Sequence, residues 1–440
     1  MKLTVEACGY GFAWEDGVPF FYLADTAWDL VRGLSRDDTE HYLHVRASQG
    51  FTVIQLTALF YPKVLYQATA NGRYPFIRDR HGRYIPGLIP DQEGDDSYWA
   101  QLDRVLAGIW ARGMVCALLP AWGDLIDDRD GSDRLFNEQS AYTYGRFLGG
   151  RYASAEKLIW ILGGDRPLDD DQSRLILRSM VRGIKEAGAD QLMSFHPPGP
   201  PLLPYSSVDY MSDEEWLDFH MIQSGHEVIC FDNWNAINRS LALASGKPVI
   251  DGEARYEDHP ACFQPKMGYY WDEADVRRTA WWSAMAGASG HTYGNHCIWS
   301  FNREPSTVFP YTWQDALQHD GALCMRYLPL LLLSRPFFER RPAQELVPQE
   351  ECMLGHVGAL RGEAYAFIYI PDGGPTVVNM KAFGAGTVKA TWFSPRDGSE
   401  RLIGIVPGAG VSRFVPPTSG KGQDWVLVLD NMDAYLISGG

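Results

Sequence analysis

The chain has 440 residues, and its hydrophobic content of 45%, which includes 15 Trp and 22 Tyr, is sufficient to bury a large core. Its formal net charge is -16, from 55 acidic and 39 basic side chains, and no lysine- or arginine-rich block occurs along it. This charge pattern argues against nucleic acid or an anionic membrane surface as a partner and favours a neutral ligand.

The seven cysteines are scattered and form no CxxC pair, so the sequence predicts neither a disulfide framework nor a zinc finger. Residues 1–20 lack the continuous apolar segment of a signal peptide. The longest apolar run, YLPLLLLS, is far shorter than the roughly 20 residues of a membrane span. We therefore expect a cytoplasmic protein with no membrane segment, or an extracytoplasmic one if a leader has been removed.

Eight short apolar runs, rich in β-branched and aromatic residues, alternate with segments of helical periodicity. Runs that are apolar on both faces and separated by helices are typical of a covered parallel sheet, and eight is the number that closes a (β/α)8 TIM barrel. An open doubly wound sheet is the rival, but no glycine-rich fingerprint follows the first run and no Walker A motif occurs. The runs are residues 19–28, 51–59, 114–122, 158–165, 191–198, 217–225, 247–257 and 290–301.

Four intervening segments begin with polar or acidic residues, continue with a 3.6-residue apolar stripe and contain a glycine near their end. They are residues 35–50, with Ser35 as the predicted N-cap, and residues 95–113, 169–188 and 272–290. Trp281 and Trp282 lie in the last stripe and are predicted core residues. The connection 199–216 is the weakest and is expected to hold only a helical turn.

After about Ala343 the helical stripes end and short strands separated by Gly, Pro and Asp turns follow, among them EAYAFIYIP, TVVNMKAF and QDWVLVLD. This texture predicts a small all-β sandwich. The predicted organisation is α/β: a (β/α)8 barrel over residues 1–340 and a C-terminal β-sandwich domain over residues 341–440.

In barrel enzymes the active site lies at the carboxyl ends of the strands. Here those ends are rich in carboxylates, imidazoles, amides and aromatic rings, which suits a sugar because rings pack on its faces and polar groups bind its hydroxyls. The predicted catalytic pair is Asp165 and Glu253, at strands four and seven. The predicted substrate-binding residues are Asp25, Trp28, Gln55, Trp122, His196, His220, Gln223, Tyr256, Tyr293, Asn295 and Trp299.

Two facing carboxylates about 5 to 5.5 Å apart are the requirement for glycoside hydrolysis with retention. Competing structural roles exist for each acid. Asp165 could cap the next helix, Asp25 could cap the first helix, and Glu253 could pair with Arg255. His291 and His296 have no third ligand at a suitable spacing, so we expect no metal and no cofactor.

The segments FFYLADTAWDL, GFTVIQLTAL, WILGGDRP, PVIDGEARYE and GHTYGNHCIW resemble the apiosidase-like catalytic domain of glycoside hydrolase family 140. WFSPRDG with QDWVLVL is similar to the putative collagen-binding domain that follows it. The resemblance implies a retaining β-apiosidase-type hydrolase with Asp165 as acid/base and Glu253 as nucleophile. Common barrel glycosidases carry Asn-Glu on strand four, where this chain has Gly-Asp.

The leading hypothesis is thus a retaining glycosidase that cleaves a pentoside, with a plant-type glycoside or oligosaccharide as its partner and neither nucleic acid nor membrane. Alternatives are a non-catalytic carbohydrate-binding protein on a barrel scaffold, a glycosidase of other furanoside or pyranoside specificity, and, more weakly, a metal-dependent hydrolase. The long loops 60–96 and 254–272 are expected to shape the substrate contacts. The sequence does not define an oligomeric state.

Overall fold

A small antiparallel sheet at the start of the chain packs against the amino end of the main barrel. Its strands are β1 (Leu3–Val5), β2 (Phe12–Trp14) and β3 (Pro19–Phe20). Phe12 packs edge to face on Phe219, with ring centroids 5.1 Å apart. The computed structural model describes residues 1–69, 71–129, 134–229, 231–347, 355–383 and 386–433.

Eight parallel strands form the barrel predicted from the sequence. In the hydrogen-bonded path the order is β8-β7-β6-β5-β4-β12-β10-β9, and the short β11 (Tyr256–Glu257) pairs with β12. The strands are β4 (Tyr22–Thr26), β5 (Val53–Thr57), β6 (Val115–Leu119), β7 (Leu158–Gly163), β8 (Met193–His196), β9 (His220–Gln223), β10 (Val249–Glu253) and β12 (Gly290–Asn295).

The barrel is closed between β8 and β9 by a few individual hydrogen bonds. The backbone N–H of Asp218 donates to the carbonyl of Met193 at 2.8 Å, and Ser194 Oγ donates to the carbonyl of Phe219 at 2.7 Å. Inside, Val53, Val115 and Ile159 belong to one buried apolar cluster. The (β/α)8 prediction is confirmed.

Helices cover the outside of the barrel. They are α1 (Leu30–Gly33), α2 (Arg36–Ser48), α3 (Pro62–Leu65), α4 (Tyr98–Ala111), α5 (Glu138–Tyr152), α6 (Asp171–Glu186), α7 (Ser207–Met211), α8 (Asn233–Leu243), α9 (Glu273–Met285), α10 (Trp313–Ala316), α11 (Asp320–Cys324) and α12 (Tyr327–Leu332). Ser35 caps α2 by accepting from the N–H of Asp38, as predicted. The weak connection 199–216 holds the single short helix α7, also as predicted.

No helix within the described ranges is both long and apolar enough to cross a bilayer. Five of the seven cysteines lie in the described part of the chain, and all five are free. Cys230 and Cys352 lie outside it.

The C-terminal region is an all-β sandwich. A six-stranded antiparallel sheet, in the order β13-β14-β15-β20-β17-β18, packs against the two-stranded pair β16-β19 through a shared core that includes Ile368, Val378 and Phe414. The strands are β13 (Arg341–Pro342), β14 (Gly358–Arg361), β15 (Tyr365–Ile370), β16 (Thr376–Asn379), β17 (Thr387–Phe393), β18 (Glu400–Pro407), β19 (Val411–Phe414) and β20 (Trp425–Asn431). The prediction of an all-β sandwich in this region is confirmed.

The barrel and the sandwich meet at α9. Trp281 and Trp282 are buried, as predicted, and Trp281 stacks on Tyr369 of β15 with ring centroids 5.7 Å apart. Beside them, the guanidinium of Arg277 donates to the carboxylate of Asp424 at 2.8 Å, with both side chains almost fully buried. An apolar stack and a buried ion pair therefore hold the two parts together.

Candidate active site

A cavity of about 120 Å³ lies at the carboxyl ends of the barrel strands. Two larger surface grooves, of about 320 and 610 Å³, lie among the helices instead, so size alone does not locate the site. The position at the strand ends locates the site, because functional groups in barrel enzymes come from these ends and their loops. The cavity is lined by Trp28, Phe60, Tyr61, Trp122, Asp165, Gln223, His226, Glu227, Glu253, Tyr256, His259, Phe263, His296 and Trp299.

The Gly-Gly-Asp ending of β7 turns the backbone so that an acid lies at the rim of the cavity. Gly163 and Gly164 have φ of +87° and +118°. A Cβ on Gly163 would lie 2.6 Å from the ring of Phe195, and one on Gly164 would lie 2.7 Å from the ring of Trp122. Asp165 itself has φ of +53°, a region that non-glycine residues rarely occupy. Such backbone strain concentrates at functional sites.

A β-bulge in β10 directs the side chain of Glu253 into the barrel. Side chains two apart on a regular strand share a face, yet Asp251 faces outward and accepts from Ser283 of α9 at 2.8 Å. The register with β9 shifts between Asp251 and Glu253, where Gly252 is the extra residue. The bulge therefore moves Glu253 to the opposite face from Asp251.

The two acids meet over the cavity. Asp165, His196 and Glu253 each place one side-chain oxygen or nitrogen within 4.8 Å of the other two. Asp165 does not cap a helix, because the N-cap of α6 is Asp170, whose side chain accepts from the N–H of Ser173. One oxygen of Asp165 and one oxygen of Glu253 therefore lie within 4.8 Å of each other.

Glu253 has different surroundings at its two oxygens. Oε1 accepts from the hydroxyl of Tyr256, which in turn accepts from the indole N–H of Trp28 at 3.0 Å. Oε2 lies 2.9 Å from Nε2 of His196, at an alignment outside hydrogen-bond geometry. Burial alone would raise the pKa of Glu253, but His196 and the Tyr256 hydroxyl hold that pKa below its usual range. The carboxylate is therefore ionised, with Oε1 held by Tyr256 and Oε2 beside His196.

Asp165 is biased toward its protonated form. Burial, followed by the negative charge of Glu253, raises the pKa of Asp165 to about 7. Its Oδ1 accepts from Nε2 of Gln223 at 3.0 Å, and its Oδ2 accepts from the hydroxyl of Tyr61 at 3.4 Å. When one acid keeps its proton and its neighbour loses it, the first can serve as a proton donor and the second as a nucleophile.

His196 lies behind Glu253 and outside the cavity lining, so it is placed to support the carboxylate instead of contacting a substrate. Its Nδ1 donates to the carbonyl of Pro197 at 3.0 Å. Burial would lower the pKa of His196, but contact with Glu253 and the nearby Asp165 raise it.

Seven of the thirteen residues predicted from the sequence line the cavity. Arg255, which the sequence offered as an alternative partner of Glu253, donates to the carbonyls of Val228 and Ile229 and packs over the Trp271 ring, 4.0 Å from its centroid. The seven lining residues are Trp28, Trp122, Asp165, Gln223, Glu253, Tyr256 and Trp299.

Asp25 and Tyr293 were predicted to bind substrate, but the structure places them in the helix-facing layer. Asp25 is fully buried and accepts from Arg46 Nε at 2.6 Å and from the hydroxyl of Tyr42, so it neither lines the cavity nor caps a helix. Tyr293 donates to Glu257, away from the cavity lining. Both corrections have one cause: strand side chains alternate, and these two point outward.

Three further residues that were predicted to contact the substrate instead make hydrogen bonds within the protein. Gln55 lies in the barrel interior, where it accepts from Tyr22 and donates to the carbonyl of Gly252, each at 2.9 Å. His220 contacts Ser207 Oγ of α7 at 3.0 Å. Asn295 donates to Asp258 at 2.7 Å.

The other lining residues were not identified from the sequence as substrate contacts. Tyr61, His259 and Phe263 come from the two loops that were expected to shape the site. Three of the missed residues are histidines that follow strand ends closely: His226 after β9, His259 after β11 and His296 after β12. That position directly after a strand was the available signal. The missed residues are Phe60, Tyr61, His226, Glu227, His259, Phe263 and His296.

Asp165, His196 and Glu253 also form the one group of metal-ligand type found within the described residues. Its donor set of two carboxylates and an imidazole is chemically compatible with a divalent cation. The raised pKa of Asp165 and the hydrogen bond to Oε1 of Glu253 make it a better proton-transfer pair than a ligand set.

Comparison with known proteins agrees with this geometry. The family model described as apiosidase-like, catalytic domain, matches residues 9–339, and that of a putative collagen-binding domain of a collagenase matches residues 342–430. No curated protein sequence matches the chain.

Two solved structures share 30% sequence identity with this chain, and each covers 98% of this chain with a TM-score of 0.87. One is described as a glycoside hydrolase, covered over 97% of its own chain. The other is described as a glycoside hydrolase family 5 protein from Bacteroides vulgatus ATCC 8482, covered over 93%. A putative glycoside hydrolase from the same organism shares the fold at 13% identity, with a TM-score of 0.72 over 98% of this chain and 82% of its own. The chain therefore belongs to the apiosidase-like family and is a glycoside hydrolase with a carbohydrate substrate.

Proposed function

We propose that this hydrolase cleaves a terminal pentosyl residue of the apiosyl type with retention of configuration, as the resemblance to glycoside hydrolase family 140 implies. The observation that carries the proposal is the carboxyl pair, whose nearest oxygens lie within 4.8 Å of each other. Retaining enzymes hold their two carboxyl groups about 5 to 5.5 Å apart, whereas inverting enzymes need about 6.5 to 9.5 Å to admit a water.

In the first step Asp165 donates its proton to the glycosidic oxygen while the carboxylate of Glu253 attacks the anomeric carbon. The carbon–oxygen bond to the leaving group breaks, the leaving alcohol carries away the proton, and a glycosyl ester forms on Glu253. In the second step Asp165 takes a proton from a water molecule, whose oxygen attacks the same carbon and releases Glu253 as a carboxylate. The opposed pKa shifts of the two acids support these roles.

The size and walls of the cavity support a single small sugar ring. About 120 Å³ is below the roughly 300–1,000 Å³ typical of pockets for drug-sized ligands. Trp122, Tyr61 and Trp299 provide aromatic surface on which an apolar sugar face can pack. A terminal pentoside fits this description better than an internal residue of a polymer.

The test combines variants with product analysis. Asp165→Asn and Glu253→Gln are each expected to reduce kcat by at least about a thousandfold on aryl β-D-apiofuranosides, while Asp190→Asn and Glu186→Gln, which change exposed acids, serve as matched controls. NMR of the first-formed sugar is expected to show the anomeric configuration of the substrate. Near wild-type activity in both site variants, or an inverted first product, would contradict the proposal.

A further inference from the structure

Three histidines from three different loops form one continuous side of the cavity, here called the histidine wall: His226, His259 and His296. The ring centroids of His226 and His259 are 4.2 Å apart, and those of His259 and His296 are 4.3 Å apart. All three line the cavity, with exposed fractions of 7%, 1% and 5%. The two-carboxylate mechanism does not use them.

Each of these rings has a buried nitrogen with no hydrogen-bond partner among the described residues: Nδ1 of His226, Nε2 of His259 and Nε2 of His296. Buried polar side-chain atoms are hydrogen bonded in the large majority of cases. Three such nitrogens on adjoining rings of one cavity leave a donor or acceptor on each ring for a polar ligand.

The contacts of two rings fix which nitrogen carries the proton. Nδ1 of His259 lies 2.7 Å from the carbonyl of Pro260, which can only accept, so Nδ1 is protonated and Nε2 is an acceptor. Nδ1 of His296 accepts from the indole N–H of Trp299 at 3.3 Å, so Nε2 of His296 is a donor. The carbonyl of Val308 also faces the His296 ring, but not in hydrogen-bond geometry.

Both rings are uncharged at neutral pH. Burial lowers the pKa of His296 to about 3 and lowers the pKa of His259 further. The cavity side chains include the acids Asp165, Glu227 and Glu253, and no lysine or arginine is among the described residues that line it. An anionic sugar would therefore meet like charge without a cationic partner.

The histidine wall adjoins Tyr256, the residue that holds Glu253, so it lies near the position of the sugar ring that would react. His226 stacks on Tyr256 with ring centroids 4.6 Å apart, and Tyr256 holds Glu253. Because the wall and Glu253 line the same cavity, the wall is placed to meet the hydroxyls of a sugar that is bound over Glu253. An adjacent acceptor and donor, on His259 and His296, match two neighbouring hydroxyl groups.

We propose that the histidine wall binds adjacent hydroxyl groups of the glycone and selects an uncharged sugar over a uronic acid. The inference rests on the proposed function, since it takes the ring over Glu253 to be the glycone. His259 accepts from one hydroxyl, His296 donates to its neighbour, and His226 lies between His259 and Tyr256, in ring contact with both.

Binding is tested without turnover, by calorimetry of the Asp165→Asn protein with 4-nitrophenyl β-D-apiofuranoside, α-L-arabinofuranoside, β-D-xylopyranoside and β-D-glucuronide. His259→Phe and His296→Phe keep the ring and remove its hydrogen bond, and each is expected to weaken binding of the preferred uncharged glycoside about tenfold. His259→Gln, which restores an acceptor, is expected to recover most of that loss. His44→Phe on the exposed face of α2 is the matched control.

Unchanged affinity in both phenylalanine variants, binding of the glucuronide as tightly as the best uncharged glycoside, or no binding of any uncharged glycoside would overturn the proposal. If His259→Phe fails to fold, judged by circular dichroism, His259→Gln and His296→Phe decide the outcome. Hydrolysis persisting in Glu253→Gln would contradict the proposed function while the binding results still stand. The two failures are therefore distinguishable.

Discussion

Tyr256 donates its phenolic hydrogen to Oε1 of Glu253, and it is itself fixed by the indole N–H of Trp28. The hydroxyl favours the ionised form of Glu253 and holds Oε1 of its carboxylate in place. Tyr256 is thus a positioning residue whose effect is measurable both as a rate and as a pKa.

We expect Tyr256→Phe to lower kcat/KM by about 10- to 100-fold, the range for losing a hydrogen bond to a charged group. Since this hydrogen bond lowers the pKa of Glu253, the acidic limb of the pH–rate profile should move to higher pH. Tyr142→Phe is the matched control, because Tyr142 donates to the carboxylate of Glu186 on the exposed surface at 2.6 Å. A reduced rate with an unmoved acidic limb would show that the hydroxyl has only a packing role.

The pH dependence of kcat/KM should be bell-shaped, with its basic limb near pH 7. As the proposed proton donor, Asp165 is active only while protonated, so we expect activity to be lost as pH rises through its pKa of about 7. As the proposed nucleophile, Glu253 is active only while ionised, so we expect activity to be lost as pH falls through a pKa below the ordinary 4.5. The groups facing Asp165 are Glu253, His196, Gln223, Tyr61 and Glu227.

Aryl glycosides with good and poor leaving groups assign the basic limb. A 2,4-dinitrophenyl leaving group needs little protonation, so its profile should lose much of the basic limb that a phenyl leaving group retains. A rate that stays constant to pH 9 with the phenyl substrate would contradict the assignment to Asp165.

The strand ends near which the two acids lie could be predicted from the sequence because the order of strands in a barrel is regular. Parallel strands bring their carboxyl ends to one rim, so Asp165 and Glu253 meet although they are remote along the chain. The side on which a residue lies was harder to predict. Asp25 and Tyr293 occupy outward positions, and the inward position of Glu253 depends on a bulge that hydrophobic patterning does not reveal.

The histidine wall could not be assembled from the sequence for a different reason. His226, His259 and His296 follow three separate strands, and their contacts depend on how the loops fold over the rim. Loop conformations have no periodicity from which to place a side chain. Sequence reasoning located the loops but not the side chains that they bring into the cavity.

We expect chelators to leave hydrolysis unchanged. A metal at Asp165, His196 and Glu253 would have to displace the proton that Asp165 keeps up to about pH 7, and the hydrogen bond to Oε1 of Glu253. The measurement is kcat/KM after dialysis against EDTA and against 1,10-phenanthroline, with a buffer-dialysed sample as the control. Loss of activity that added Zn²⁺ or Mg²⁺ restores would assign these three residues to a metal site.

The ion pair between Arg277 and Asp424 should be important for attaching the sandwich to the barrel. Both side chains are at most 3% exposed, so Asp424→Ala leaves a buried guanidinium without its counterion. We expect the free energy of unfolding to fall by about 3–5 kcal/mol in equilibrium denaturation, as is usual when one partner of a buried pair is removed. Asp190→Ala breaks the exposed pair with Lys2 and should cost no more than about 1 kcal/mol.

The double variant Arg277→Met with Asp424→Leu separates charge burial from packing. With both charges replaced by apolar side chains, we expect it to be more stable than Asp424→Ala, because the cost arises mainly from the unpaired charge. If Asp424→Ala instead matched Asp190→Ala within 1 kcal/mol, the junction would have to depend on the other contacts of α9, among them the stack of Trp281 on Tyr369 and the ion pair of Arg278 with Asp372.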